Sequence, residues 1–203
     1  MRRVPSALLA LLLLGAGAAS ADDWPGPRVF TAFSDNGRFF VRIVPGDSVG
    51  DTVGFAGAPK GRYATALVYA LGPDRGYRLQ QEITLVNPVS PLSALVADDG
   101  AFITFDNWHN VGFGKVVAIY APTGQLVRAW ELTDLYAHDK VETIPRSVSS
   151  RAWRCAPVHF VDPKEQKRVY VPEALGGSFV FTLATGGVVY TAGTRKDCMQ
   201  PAS

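Results

Sequence analysis

The 203-residue chain carries 20 Lys and Arg against 18 Asp and Glu, has two cysteines, and is 47% hydrophobic. Because Arg2 and Arg3 lie in an N-terminal leader, the rest of the chain has 18 residues of each sign, and such a neutral surface argues against binding of nucleic acid. Residues 22–203 contain no linker or charge run, so we expect one domain built on one hydrophobic core.

The N-terminus has the three-part pattern of a secretory signal peptide. Arg2 and Arg3 precede the apolar run 7–14, and Ala19-Ser20-Ala21 follows as a cleavage signal. The apolar run is too short to span the roughly 30 Å of membrane hydrocarbon comfortably. We therefore expect cleavage after residue 21, and a secreted or periplasmic protein with no membrane anchor.

The first structural unit is predicted to be a pair of β-hairpins. Residues 29–44 place Asn36-Gly37 between two apolar runs, which is a strong hairpin signal, and the Gly- and Pro-rich stretch 45–61 is predicted to be a loop. A second hairpin is predicted from residues 63–71 and 77–85.

Residues 92–132 repeat this plan in the clearest form. One hairpin is predicted over 93–106 with its turn at 98–100, and another over 115–132 with its turn at 122–124. Four strands in about forty residues match the size of one propeller blade.

The remaining chain is predicted to be a third, less regular unit. Thr133 is placed to cap a single helical turn, and residues 137–150 are expected to be polar and irregular. The strands predicted in this unit span residues 151–155, 158–161, 168–171, 178–183 and 188–191. No amphipathic helix of ordinary length follows the leader, so the fold class is all-β.

Short motifs support the idea of repeats. The first occurs twice, as Phe33-Ser34-Asp35-Asn36-Gly37-Arg38-Phe39-Phe40 and Val96-Ala97-Asp98-Asp99-Gly100-Ala101-Phe102-Ile103. The second is a Thr-Gly turn at Thr123-Gly124, with a looser counterpart at Thr185-Gly186. These hairpins resemble those of WD40-like and TolB-like β-propeller blades. The resemblance implies about three two-hairpin units in a propeller-like stack; an open two-sheet β-sandwich is the alternative.

Propeller rings usually close with four to eight blades, so three units leave sheet edges open. Open edges invite association, and this predicts a homo-oligomer, for example two chains that together supply six blades. Cys155 and Cys198 suit an oxidising compartment and are predicted to form a disulfide, although two unpaired thiols are the alternative.

Residues 105–114 form the most distinctive loop. It contains Asp106, Asn107, Trp108, His109 and Asn110, and loops on a rigid β scaffold often carry binding groups. An Asp and an imidazole three residues apart can share a proton, although we predict no metal here. The alternative is structural: Asp106 and Asn107 bind local backbone, Trp108 packs in the core, and His109 caps a strand end.

A second candidate binding segment spans residues 146–154. Arg151 and Arg154 flank Trp153 and would suit an anionic group or a sugar face. The competing interpretation is a strand with its polar side in water and Trp153 buried.

Standard catalytic signatures are absent from the sequence. It has no G-x-S-x-G, no S-x-x-K and no H-E-x-x-H, so we assign no catalytic residue and no cofactor. The leading expectation is an exported binding or scaffolding protein for an unknown protein or small-molecule ligand. The alternative is an extracytoplasmic hydrolase with its site at residues 106–110.

Overall fold

The computed structural model describes residues 24–155 and 157–194. The predicted signal peptide and Cys198 lie outside these residues. The predicted leader cleavage and the predicted disulfide therefore both stay predictions. None of the helices in the described part has both the length and the apolar character that crossing a bilayer requires.

Twelve strands form three four-stranded antiparallel sheets, each a simple meander. Sheet 1 contains β1 (Phe30–Phe33), β2 (Phe39–Val44), β3 (Thr65–Leu71) and β4 (Tyr77–Thr84). Sheet 2 contains β5 (Ser93–Val96), β6 (Phe102–Phe105), β7 (Val117–Tyr120) and β8 (Leu126–Trp130). Sheet 3 contains β9 (His159–Phe160), β10 (Arg168–Pro172), β11 (Ser178–Thr182) and β12 (Gly187–Thr191). The all-β class and the three two-hairpin units are confirmed, and the two-sheet alternative is wrong.

Two short helices, α1 (Leu132–Leu135) and α2 (His138–Thr143), connect sheets 2 and 3. The first is the predicted helical turn, although its N-cap is Glu131 and not Thr133. The second corrects the expectation that residues 137–150 are irregular. Residues 151–155 do not form the predicted strand and make only isolated bridges. Their backbone N–H groups bind three different segments, since Arg151 N donates to Val111 O, Ala152 N to Pro145 O and Cys155 N to Pro172 O.

The chain buries two apolar interfaces, one on each side of sheet 2. Sheets 1 and 2 pack through side chains that include Val41, Val68 and Phe102. Sheets 2 and 3 pack through a larger cluster in which the Trp130 and Phe181 rings meet at 5.1 Å between centroids. The two central strands of sheet 2, β6 and β7, are buried on both faces, which explains their nearly continuous apolar sequence.

Hairpin connectivity sorts the loops into two ends of the molecule. The tight turns at 34–38, 97–101 and 161–167 lie together at what we call the turn end. Gln166 joins all three there, since its amide donates to Asp35 Oδ2 at 2.7 Å and its Oε1 accepts from the Asp98 backbone N at 2.7 Å. The first strands β1, β5 and β9 line a shared cavity of about 280 Å³ through Phe33, Leu95 and His159. The first strands of the three sheets therefore lie close together around one cavity.

Glycines in the first two of these turns adopt positive φ, +66° at Gly37 and +91° at Gly100, as the turn motif requires. The register differs by one residue from the hydropathy match of the two motifs. Phe33 pairs with Phe40, whereas Val96 pairs with Phe102, because the first turn is one residue longer. The structural equivalent of Phe40 is thus Phe102 and not Ile103.

Tyr120 couples sheet 2 to the chain that follows sheet 1. Its hydroxyl accepts a hydrogen bond from the Val86 backbone N at 3.0 Å, and burial raises the pKa of that hydroxyl to about 12. The hydroxyl therefore stays protonated in the folded chain at pH values where an exposed tyrosine ionises.

We expect the free energy of unfolding to fall as the pH rises from about 10 to about 12, because the unfolded chain releases the Tyr120 proton near pH 10 while the folded chain keeps it. The loss approaches about 1.4 kcal/mol per pH unit for this group. Urea unfolding across this pH range measures the slope, and Tyr120→Phe should reduce it. An identical slope in that variant would contradict the assignment.

Candidate functional site

The long connections of the three units lie at the end opposite the tight turns, which we call the loop end. Residues 45–64, 106–116 and 131–158 all belong to it, because each joins strands at the same end of a sheet. Both segments predicted as candidate binding sites, 106–110 and 151–154, are therefore brought together by the fold.

Asp106 is the centre at which the two candidate segments meet. Its side chain is 1% exposed, and its Oδ2 accepts from Arg154 Nε at 2.7 Å. Its Oδ1 accepts from Trp153 Nε1 at 2.7 Å and from the Gly112 backbone N at 3.1 Å. Arg154 also lies over the Phe105 ring, with its Cζ 5.2 Å from the ring centroid. Asp106 thus holds the loop of sheet 2 against the segment that leads into sheet 3.

Arg151 has a similar joining role on the neighbouring side. It is 7% exposed, donates to Val141 O at 2.7 Å and pairs with Glu142 Oε1 at 3.0 Å. Its guanidinium lies over the Phe113 ring at 5.6 Å. Because Arg151 is buried and Val148 is fully exposed, the predicted strand with a polar face in water is wrong here. Trp153 is buried, as that interpretation expected.

Asn107 and Asn110 line the same part of the loop end. Asn107 Oδ1 accepts from Asn87 Nδ2 at 2.8 Å, and its amide donates to Phe113 O at 2.7 Å. Asn110 is 3% exposed and donates weakly to Ser149 O at 3.4 Å. Its Oδ1 is buried and has no hydrogen-bond partner within residues 24–155 and 157–194. Asn110 is therefore a buried acceptor whose hydrogen-bonding capacity is unused.

His109 lies among aromatic rings and does not contact Asp106 by a hydrogen bond. Its ring centroid is 4.7 Å from that of Phe55 and 5.5 Å from those of Trp24 and Trp108. Its Nδ1 is buried with no hydrogen-bond partner in the described chain. Trp108 is half-buried and donates through Nε1 to Pro25 O at 2.9 Å. The side chains of Asp106 and His109, three residues apart in sequence, thus have separate surroundings.

A cavity of about 170 Å³ opens between the loop 45–64 and the loop 106–116. Two ion pairs lie at this cavity. Lys115 Nζ is 3.0 Å from Glu131 Oε1, and Lys60 Nζ is 2.5 Å from Asp51 Oδ1. The side chains whose chemistry can meet a ligand there are Asp51, Tyr63, Asn107, Asn110, Lys115 and Glu131.

Electrostatics in this cavity favour a charged carboxylate beside a neutral phenol. The hydrogen bond from Lys60, followed by that from the Ser48 hydroxyl, lowers the pKa of Asp51. Burial, followed by the nearby Asp51 charge, raises the pKa of Tyr63. Sequence reasoning did not single out Asp51, Tyr63 or Lys115, because they lie in loops far apart along the chain and show no motif.

Glu173 is a second buried carboxylate, and no local motif marks it in the sequence. It is 0% exposed, and Oε1 accepts from the Gly177 N at 2.6 Å and the Tyr190 hydroxyl at 3.2 Å. Oε2 accepts from the Leu175 N at 2.7 Å and the Tyr136 hydroxyl at 3.1 Å. Burial first, and then the Glu173 charge, raises the pKa values of both tyrosines.

Among the described residues, no group of three or more His, Cys, Asp or Glu side chains is arranged to hold a metal ion. Cys155 donates its backbone N to Pro172 O at 2.8 Å, which anchors it beside sheet 3. We predicted that the protein binds no cofactor and no nucleic acid and that it has no membrane anchor, and these points stay predictions.

No protein-family model matches the chain, and no curated protein matches it. Among solved structures, a similar chain is described as "Crystal structure of HIRA(644-1017)". The TM-score is 0.38 at 12% identity, and the match covers 82% of this chain and 54% of the solved one. This chain thus spans about half the length of that structure, and a likeness this weak carries no conclusion about fold or function.

Proposed function

We propose that the chain is an exported binding module whose three units form a propeller-like stack, and that it binds a small polar ligand in the cavity between loops 45–64 and 106–116. Support for the arrangement comes from the three meanders, the Gln166 junction and the cavity lined by the first strands. Support for export comes from the Arg2-Arg3, apolar-run and Ala19-Ser20-Ala21 pattern.

The observation that carries the ligand proposal is a cavity where Asn110, Lys115 and two carboxylates meet, with Asn110 Oδ1 left without a hydrogen-bond partner among the described residues. A buried acceptor without a partner is costly, and rotation of the weakly held Asn110 amide would let a bound donor satisfy it. The cavity volume of about 170 Å³ corresponds to about five or six water molecules, at about 30 Å³ each. The ligand class is thus a small molecule with both hydrogen-bond donors and an anionic or hydroxyl acceptor, such as an amino acid, a small polyol or a hydroxy acid.

Thermal-shift measurement tests this function on protein expressed with its own leader. The probes are free amino acids, glycerol-sized polyols, monosaccharides and short hydroxy acids. A ligand present at about one hundred times its Kd stabilises the folded state by about 2.7 kcal/mol, which raises the Tm by several degrees.

Lys115→Ala and Asn110→Ala should each abolish that shift, while Lys164→Ala, which removes an exposed lysine at the turn end, should preserve it. A shift that survives both cavity variants would place the ligand elsewhere. If no probe class shifts the Tm, the small-ligand proposal is wrong.

A further inference from the structure

Sheet 1 exposes an aromatic face that points away from sheet 2. Phe33, Phe40, Tyr69 and Leu79 are direct neighbours across its four strands, and we call them the first ladder. Phe33 is 58% exposed and Leu79 is 49% exposed. Tyr77, which is 40% exposed, adds a ring 4.8 Å from that of Phe40. A contiguous exposed apolar patch of this kind usually marks a contact surface.

The same ladder occurs in sheet 2 with matching geometry. The second ladder consists of Val96, Phe102, Tyr120 and Leu126. In each ladder the central rings stack, at 4.5 Å and 13° for Phe40 with Tyr69 and at 4.7 Å and 12° for Phe102 with Tyr120. Each sheet also has its register shift immediately before the tyrosine.

The two ladders differ in burial. Phe102 and Tyr120 are 0% and 1% exposed, because sheet 1 covers them. In sheet 3 the equivalent positions are Phe160, Val169, Phe181 and Val188, and sheet 2 covers these in the same way. In sheets 2 and 3 the preceding sheet therefore covers the inner part of the ladder with the face opposite its own ladder, whereas Leu126, the outermost residue of the second ladder, stays 44% exposed. Sheet 1 has no predecessor among the described residues.

We infer that a second copy of this chain covers the first ladder, and that the covering surface is the far face of its sheet 3. The far face of sheet 3 is the face opposite its own ladder, and it presents Val180 and the 65% exposed Val189. The corresponding faces of sheets 1 and 2 are each covered by the next sheet, so among the described residues only that of sheet 3 has no sheet packed on it. The contact between chains therefore repeats the contacts between sheets 1 and 2 and between sheets 2 and 3. Applied in both directions, it closes two chains into a ring of six sheets.

Interface area favours the closed ring over an open stack. Four strands about 4.8 Å apart, with five or six residues of about 3.3 Å each, give a face of roughly 300–400 Å². One contact buries two such faces, which is in the range of incidental crystal contacts of less than about 800 Å². A ring of two chains has two contacts and buries roughly 1,200–1,600 Å², which is the range of stable interfaces.

Charged groups lie beside the ladder on the same face of sheet 1. Arg42 and Glu82 lie on either side of Leu67 along one row of paired residues, and both are exposed in the single chain. Their equivalents in sheet 2 are Thr104 and Ala129, beside the covered Ala118. This row is therefore the polar part of the proposed contact, and the ladder is its apolar part.

Mass measurement tests the inference on the chain purified after expression with its own leader. Light scattering coupled to size exclusion should give twice the mass of one chain. Phe33→Lys and Phe40→Lys should weaken dimerisation by about thirtyfold or more, as hot-spot residues do, because the equivalent Val96 and Phe102 are 2% and 0% exposed under sheet 1. Val148→Lys is the matched control, since Val148 is fully exposed on a loop, and it should leave the dimer intact.

Phe33→Ala is the milder variant for the case that a lysine disturbs folding, and far-UV circular dichroism checks the fold of each protein. The inference is overturned by a monomeric wild type at high concentration. It is equally overturned by a dimer that Phe33→Lys and Phe33→Ala leave unchanged, or by open assemblies larger than two chains.

Discussion

Replacing Asp106 with Ala is expected to lower the free energy of unfolding by about 3–5 kcal/mol, the cost of breaking a buried ion pair by removing one partner. Trp153 Nε1, Arg154 Nε and the Gly112 N would each lose their acceptor. A further cost arises because Asp106 has a φ of +59°, a region that Asp and Asn tolerate better than Ala.

Urea unfolding measures this loss. Asp74→Ala is the matched control, because it removes the exposed carboxylate that pairs with Arg78 and should leave the urea midpoint unchanged. Asp106→Asn should lose less than Asp106→Ala, since Asn keeps one acceptor oxygen and adopts positive φ readily. If Asp106→Ala behaves like Asp74→Ala, the carboxylate does not hold the two segments together.

Replacing Glu173 with Ala is expected to have a loss of similar size, about 3–5 kcal/mol, because four donors around a fully buried carboxylate lose their acceptor together. The turn between β10 and β11 depends on two of these bonds, those from Leu175 N and Gly177 N. A Cβ at Gly177 would lie 2.6 Å from Thr191 O and 2.9 Å from Glu173 Oε1, so no other residue type fits there without displacement.

Chemical unfolding followed by tryptophan fluorescence measures the effect. Glu173→Gln should lose only about 1–3 kcal/mol, since the amide oxygen still accepts while its NH2 group meets donors. Glu165→Ala, at an exposed position paired loosely with Lys167, serves as the control and should leave stability unchanged. Equal losses in Glu173→Ala and Glu165→Ala would refute the role of the buried carboxylate.

The predicted sites illustrate why residue type alone does not distinguish binding from structure. The side chains of Asp106, Trp153 and Arg154 all suit ligand binding, and the sequence predicts that use. In the structure, Trp153 and Arg154 instead donate hydrogen bonds to Asp106. A carboxylate that can accept hydrogen bonds from a ligand can equally accept them from Trp153 and Arg154 of the same chain. Whether Asp106 binds a ligand or another part of the chain depends on which donors lie near it. Trp153 and Arg154 lie 47 and 48 residues from Asp106 along the chain, so the sequence does not show this contact.

The hydrolase alternative also depends on such positions. It requires Asp106 and His109 to act together, whereas both Asp106 oxygens already accept hydrogen bonds from other groups and His109 packs among three aromatic rings. That alternative stays a prediction. The cavity proposal, by contrast, uses Asn110, whose Oδ1 has no hydrogen-bond partner in the part of the chain that the structure describes.

Local rules in the sequence by themselves determined the hairpins, their turns and the three-unit plan, although the strand predicted at residues 151–155 does not form. A tight turn needs positive φ, so Gly37, Gly100 and Gly124 identify their turns from chemistry within a few residues. The helix α2 was missed because its six residues have too little length for a periodic pattern and gain stability mainly from burying Val141.

Tertiary structure alone decided how these units meet. Gln166 joins turns that are 68 and 131 residues away, and the cavity takes its charges from loops that no local pattern connects. The one-residue difference in turn length also decided which face of sheet 1 carries the first ladder, because side chains alternate between faces along a strand. Local sequence specifies backbone conformation over a few residues, whereas sites and interfaces depend on distances between remote parts of the chain.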